Sequence, residues 1–506
     1  MRLTRGFFAL LIVSAALPGA NNRQVADAAR QLDKAAIRAM IAAHADVDAP
    51  GPDGATALDW AVRADDKEIA FLLLKAGANP NAADRYGITP LYLAMLNGDQ
   101  AVIRALLESG ANPNFAGEGG ETPLMTAART GNTESLKALL DRGAEVNACD
   151  RQTAQTALMW AVRGNQTAAV ELLLADGADV NAQTKIGPTP PRRAPNAGGG
   201  SHGKGINRGG TPPRGTLDPT PGGLSALHYA ARDGHFEIVR LLVAAHANVN
   251  LFEANGISPL LTAISNDHVD IAHYLLDHGA DPKPFDVWGR TPLFEAVAVR
   301  NLEVNKTEDN GVDREAMLGL IRALLDRGAN PNARTLEQLP TRRWIMTLND
   351  ISWVDFSGQT PFLRAALSGD TSVMRLLLAH GANPNIATYE GTTPLMAAAG
   401  INWAVGQTYT ESKEHLLDAV KLCLELGADV NAANSMGLTA AIGAINRGSN
   451  DILAYLVEHG ARLDIKDNED RTPRDWAEGV FLATVPPERK PATIALLEKL
   501  EGGKAQ

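Results

Sequence analysis

The chain has 506 residues, 45% of them hydrophobic and 21% charged, and carries a formal net charge of −11. So acidic a chain is a poor general ligand for nucleic acid. No segment after the first twenty residues is apolar enough to cross a bilayer.

Arg2 and Arg5 precede the apolar run Gly6–Leu17, and small residues follow as far as Ala20. That is the layout of a secretory signal peptide, and the run is too short to span a membrane. Residues 1–20 are expected to be removed, taking the formal charge to −13 and leaving an exported protein, periplasmic or extracellular. The alternative is an uncleaved N-terminal helix. No cysteine follows the run to accept a lipid.

From residue 54 onward one phrase recurs. Its first half is Gly87-Ile88-Thr89-Pro90-Leu91 or a near variant, and its second half is Leu73-Leu74-Lys75-Ala76-Gly77-Ala78-Asn79-Pro80-Asn81-Ala82. The anchor falls at Gly54, Gly87, Gly120, Ala154, Gly223, Gly256, Gly289, Gly358, Gly391, Gly437 and Asp470. Most steps are 33 residues, one is 34, two are 69 and one is 46. Such a period describes a stack of one small unit.

Each unit reads as turn, helix, turn, helix. Thr89 supplies an oxygen for an orphan N–H at a helix start, and Pro90 suits the first helical turn. A first helix over about Leu91–Leu96 ends at Asn97-Gly98, and Asp99 starts the next. The second helix, about Gln100–Ser109, lines up Val102, Ile103, Leu106 and Leu107 on one face. Gly110 then takes the left-handed conformation, and an Asn/Asp-rich turn leads onward. Each Leu of the Leu-Leu pair contributes about 1.5–3 kcal/mol if fully buried, and only a neighbouring unit can bury it.

Thr89-Pro90-Leu91, Ala127-Ala128-Arg129-Thr130-Gly131 and Gly177-Ala178-Asp179-Val180-Asn181-Ala182 resemble the ankyrin repeat. The resemblance covers roughly residues 22–500 and is similar to that of exported bacterial multi-repeat chains. It implies an all-α ankyrin-repeat solenoid of about ten full helix–turn–helix repeats between two end units, with protruding finger turns and a concave binding face. The expected organisation is a capping unit at 21–53, repeats one to four at 54–181, an insertion at 182–222, repeats five to ten at 223–469 and a C-terminal cap at 470–506. Only His228 fills the fourth place of the Thr-Pro-Leu-His phrase; Asp59, Tyr92, Met125, Met159, Leu261 and Phe294 stand elsewhere. The local His–Thr hydrogen bonds of the family are therefore expected to be mostly missing. His44 and His246 replace the glycine seen at Gly77, so both are predicted to have positive φ.

The insertion at 182–222 is rich in Gly, Pro and Arg and is expected to be flexible, either as an enlarged finger or as a division of the array. Further insertions lie near 303–314, 335–357 and 401–413. The second contains Trp344 and Trp353 around Asn349-Asp350, a β-hairpin pattern, and the third carries Trp403 and Tyr409. Cys149 and Cys423 sit five or more units apart. Stacked helices are about 8–10 Å apart and a disulfide needs Cα atoms within about 7 Å, so two free thiols are predicted.

Candidate chemistry is sparse. Gly198–Gly205 is near a P-loop but lacks the Ser or Thr after Lys204. His268, His273 and His278 spread around a helix. Asp464, Asp467, Asn468, Glu469 and Asp470 lack the EF-hand Gly and terminal Glu, so the last finger explains them better. No nucleophile–base pairing and no zinc cluster stands out, and no cofactor is implied.

The resemblance implies that the fifth place of the Thr-Pro-Leu phrase faces the groove. It holds Trp60, Trp160, Tyr229 and Trp476, alongside Thr126, Thr262, Glu295 and Arg364. Large amphipathic rings there suit a protein interface. The fingers add Tyr86, Phe115, Phe252, Phe285, Trp288 and Tyr389. Arg63, Arg129, Arg163 and Arg232 share one place at the end of the first helix, where a cation suits the helix dipole, and an anion-binding ladder is the second reading. The functional expectation is a non-catalytic scaffold that binds a partner protein through the concave face, the fingers, and Trp344 and Trp353. The alternatives are an enzyme or small-ligand protein with its site among the insertions of repeats seven to nine, and a secreted effector.

Overall fold

The computed structural model describes residues 22–117, 119–187, 222–301, 311–336, 354–401, 413–480 and 487–502. The N-terminal apolar run, the P-loop-like stretch, the β-hairpin pattern with Trp344 and Trp353, and Trp403 and Tyr409 lie outside the described residues.

The chain divides into two compact units, Met1–Lys185 and Ile186–Gln506. The first holds α1 (Asn22–Arg30), α2 (Lys34–Ala42), α3 (Ala57–Arg63), α4 (Lys67–Lys75), α5 (Pro90–Asn97), α6 (Gln100–Glu108), α7 (Pro123–Thr130), α8 (Thr133–Leu140), α9 (Ala157–Arg163) and α10 (Thr167–Ala175). The second holds α11 (Ala226–Asp233), α12 (Phe236–Ala244), α13 (Pro259–Ser265), α14 (Val269–Asp277), α15 (Pro292–Arg300), α16 (Arg314–Asp326), α17 (Pro361–Ser368), α18 (Thr371–Ala379), α19 (Pro394–Ala399), α20 (Lys413–Glu425), α21 (Ala440–Arg447), α22 (Asn450–Glu458), α23 (Pro473–Glu478) and α24 (Pro491–Gly502). The described residues are thus all-α, ten repeats with an end pair at each extreme. One isolated bridge joins Cys149 and Thr156.

Each unit is a two-layer stack. Odd-numbered helices pack on odd, even on even, and the members of each pair on one another. The first leucine of the Thr-Pro-Leu phrase and the first of the Leu-Leu pair are fully enclosed, as at Leu58, Leu73, Leu106, Leu139 and Leu260. The local signals act as expected. Thr89 accepts the Tyr92 N–H at 3.3 Å, Pro90 opens α5, and Gly98 ends it at φ 73°. His44 and His246 have φ of 57° and 65°. Nothing crowds a side chain at the equivalent Gly77, so the backbone angle alone makes glycine the usual occupant.

Between repeats the Asn of Gly-Ala-Asn-Pro-Asn does more than punctuate a turn. The Asn81 amide donates to the Gly110 carbonyl (2.9 Å) and its oxygen accepts the Asn112 N–H (2.6 Å). Asn114, Asn147, Asn250, Asn332 and Asn431 repeat this two-way bond to the following repeat. The rung is absent where Lys283 replaces the Asn. Asn114→Ala is expected to destabilise the first unit by about 1–2 kcal/mol, two hydrogen bonds lost at a solvent-accessible joint. Hydrogen exchange across the joint between α6 and α8 reads this; unchanged protection there would show the rung to be idle.

The His–Thr expectation needs a correction at two places. Asp59 rebuilds the bond, with Oδ2 accepting the Thr56 N–H (2.7 Å) and hydroxyl (2.9 Å), and Asp475 does the same with Thr472. A carboxylate two bonds from Cβ reaches the same atoms as an imidazole Nδ1. At His228, Nδ1 accepts the Ser225 N–H (3.2 Å), which leaves Nε2–H to donate to the Ile257 carbonyl (3.1 Å).

Candidate functional site

In the first unit the odd-numbered helices present two parallel rows. One is Asp27, Trp60, Leu93, Thr126 and Trp160; the other, one turn further along each helix, is Arg30, Arg63, Leu96, Arg129 and Arg163. Every member of the second row is exposed, Leu96 at 51%. Trp60 is half-buried between two guanidiniums, Arg30 at 5.9 Å and Arg63 at 5.3 Å from its ring. Trp160 is half-buried beneath Arg129 of the preceding repeat at 5.6 Å. A cation over an indole face gains about 0.5–1 kcal/mol at such exposed sites.

The arginines therefore do more than suit a dipole. Arg63 lies 3.6 Å from Asp84, and Arg163 donates to the Gln155 side chain at 3.0 Å. Arg232, in the second unit, pairs with Asp233 at 2.8 Å and covers the Tyr229 ring at 4.9 Å.

The second unit does not continue the rows. Tyr229 is only 5% exposed, so it is a packed ring rather than an open anchor. Glu295 is 2% exposed, accepts the Ser265 hydroxyl at 3.0 Å and faces Arg290 at 3.6 Å. Trp476 is fully buried and gives its indole N–H to Asp467 at 2.9 Å. Arg364 is half-buried and donates to the Asn301 carbonyl at 3.3 Å and the Ser368 hydroxyl at 3.4 Å. The places matching Arg30 hold Arg232, Ser265, Ala298, Leu367, Gly400, Asn446 and Gly479.

The finger residues are more open. Tyr86 is 60% exposed beneath Arg85 (4.8 Å), Tyr389 is exposed beneath Arg334 (4.2 Å), and Trp288 is half-buried beneath Arg290 (5.2 Å). Phe252 and Phe285 are exposed on adjacent fingers, with Lys283 and Pro284 lining the shallow cleft between them, and Phe115 is half-buried. Six fingers are held by one acid or amide near their start, at Asp84, Asp150, Glu253, Asp286, Asn434 and Asp467, and a threonine hydroxyl takes that place at Thr388. Asp286 Oδ1 accepts the Trp288 and Arg290 N–H groups, and Asp467 Oδ1 accepts those of Glu469 and Arg471. The acidic run near 464–470 is thus a finger device, as the sequence suggests.

Burial pushes the Cys423 thiol up to about 12, so it is an inert core side chain of α20, whereas Cys149 is an exposed free thiol. Among the described residues no three His, Cys, Asp or Glu side chains gather to hold a metal, and no helix is long and apolar enough to cross a membrane. His268 bonds the Arg232 carbonyl at 3.1 Å and His278 the Tyr274 carbonyl at 2.7 Å.

These repeats define a helix-pair solenoid protein, and the family model for ankyrin repeats in three copies matches residues 25–117, 115–184, 210–286, 227–307 and 316–405, with the single-repeat model matching 390–435. The chain belongs to the ankyrin-repeat family. Among curated proteins it is similar to protein phosphatase 1 regulatory subunit 12A of Rattus norvegicus, 32% identical over 176 residues, which is 34% of this chain and 14% of that protein. It is also similar to neurogenic locus notch homolog protein 1 of Cricetulus griseus, 30% identical over 134 residues, 26% of this chain and 5% of that protein. The chain thus spans a small part of these relatives' length. Among solved structures the ankyrin repeat domain of Bcl-3, a member of the IkappaB family, aligns over 51% of this chain and 99% of that one, at 28% identity and a TM-score of 0.39.

Proposed function

We propose that the chain is a non-catalytic scaffold that binds a partner protein through the face of its odd-numbered helices, chiefly in the first unit. The observation that supports this reading most is the pair of half-open tryptophans, Trp60 and Trp160, each under an arginine and separated by the exposed Leu96. Amphipathic rings already held in place need little ordering on docking, which is what an interface anchor requires. The exposed finger rings Tyr86, Phe252 and Tyr389 extend the contact area. Relatives such as a regulatory subunit of a phosphatase are consistent with a binding role. Export, to the periplasm or beyond, completes the proposal and is carried by the Arg2–Ala20 pattern alone.

Replacing Trp60 and Trp160 together with alanine is expected to abolish capture of the partner while the far-ultraviolet helical signal is retained. Tyr229 is left out because its burial makes the same change a packing defect. Undiminished capture by the double variant would move the contact to the fingers. N-terminal sequencing of the protein recovered from the cell envelope and medium tests export, and an intact Met1 on protein confined to the cytoplasm would refute it.

A further inference from the structure

The exposed row of the first unit has a charge pattern of its own. Arg30, Arg63, Arg129 and Arg163 stand two on each side of Leu96, one per repeat, on a chain whose net charge is −11. Arg63 shares Asp84, and Asp27 borders the row; Glu121 accepts the Thr126 hydroxyl at 2.9 Å. The corresponding places of the second unit keep one arginine, Arg232, and it is paired with Asp233. The basic row is therefore a property of the first unit.

Its spacing fixes the geometry of what it would meet. Neighbouring helices stack about 8–10 Å apart, and a peptide in the polyproline II conformation advances about 3.1 Å per residue with three residues per turn, which returns every third side chain to one face. One repeat thus matches one three-residue turn of such a peptide. Arg30 and Arg63 are one repeat apart, Arg63 and Arg129 two, and Arg129 and Arg163 one.

We propose that the first unit docks an acidic segment of a partner protein in the polyproline II conformation, about thirteen residues long, with carboxylates at positions 1, 4, 10 and 13 and an apolar side chain at position 7 over Leu96. This rests on the reading of the odd-helix face as the docking surface. Arginine is suited to the task because its planar fork pairs with a carboxylate while its other face stays on an indole. The apolar centre keeps the contact from being purely electrostatic and sets the register.

The test is fluorescence anisotropy on the full chain with a labelled thirteen-residue peptide carrying Glu at positions 1, 4, 10 and 13 and Leu at 7 in a Ser/Gly background. Controls are the same peptide with Lys in place of Glu, one with Gln there, and a single-stranded DNA fifteen-mer. The Glu peptide is expected to bind, more weakly as salt rises, and Arg30→Glu with Arg129→Glu should weaken it about tenfold or more. Arg240→Glu, on α12 of the second unit, should leave it unchanged. Equal binding by the double reversal, or equal binding of the Lys peptide, overturns the proposal; tighter binding of the DNA replaces it with a nucleic-acid surface. If the Gln peptide binds as well as the Glu peptide and Trp60→Ala with Trp160→Ala abolishes it, the docking face stands and its acidic partner does not. If no peptide binds and the tryptophan variant still captures its partner, both readings fall.

Discussion

Arg300→Met is expected to cost the second unit about 3–5 kcal/mol, because it strands a buried carboxylate. Arg300 is the last residue of α15 and Asp370 is the N-cap of α18; both are enclosed, with Nε to Oδ2 at 2.9 Å. Arg314, the first residue of α16, stands 3.6 Å from the same carboxylate, and the two arginines exchange hydrogen bonds with each other's carbonyl groups. The cluster therefore clamps the two ends of the insertion between α15 and α16 and ties both to the next repeat. Arg300→Met with Asp370→Leu removes both charges and should recover much of the loss, less the N-cap that Asp370 gives Val373 at 3.2 Å. Denaturant unfolding read by hydrogen exchange in α15–α18 measures this. A shift below about 1 kcal/mol would show that Arg314 alone compensates the buried acid.

Two positions at the same place of the repeat phrase should push stability in opposite directions with pH. At Asp59, burial raises the carboxyl to about 6, against the lowering effect of its Thr56 hydrogen bonds. A group whose folded pKa lies above its unfolded value favours the folded state below the unfolded pKa. The first unit should thus lose about 3 kcal/mol as pH rises from about 4 to above 6. At His228, burial lowers the imidazole to about 4, only partly offset by the Ile257 carbonyl. Here the unfolded chain takes up the proton first, so the second unit keeps its full stability above about 6.5 and loses about 3 kcal/mol as pH falls toward 4. Asp59→Asn should flatten the first slope and stabilise the first unit at neutral pH. Exchange rates of amides in α3 and in α11, followed from pH 4 to 7, should run in opposite senses. Parallel slopes in the two units, or an unchanged slope in Asp59→Asn, would remove burial as the cause.

The sequence made the repeat itself legible because its signals are local. Thr89-Pro90 and Asn97-Gly98 each act within a turn of helix, and the helix limits came within a residue or two. What was not legible depends on the neighbouring repeat. Trp60 and Trp476 hold equivalent places, yet one stays half-open and the other is sealed and bonded to Asp467. Tyr229 is likewise enclosed. How deep a ring sits depends on what packs over it, which a single phrase does not encode. The Asn81-type rung was missed for the same reason: its partners lie about thirty residues on, although the recurrence of that Asn was the signal. The bond at Asp59 is legible only from reach: its Oδ2 stands as far from Cβ as an imidazole Nδ1 does and meets the same Thr56 atoms.

The Asn rungs also bear on how such a chain can change length. Each rung asks only for a Gly carbonyl and an N–H two residues later in whatever repeat follows, so joints built this way are interchangeable. Duplicating or excising a module between Asn81 and Asn147 restores identical couplings on both sides. The joint after Lys283 lacks that shared fitting, and a module moved to or from it would need new side chains to be held. Growth by copying is thereby favoured at every joint that carries the rung and discouraged at this one.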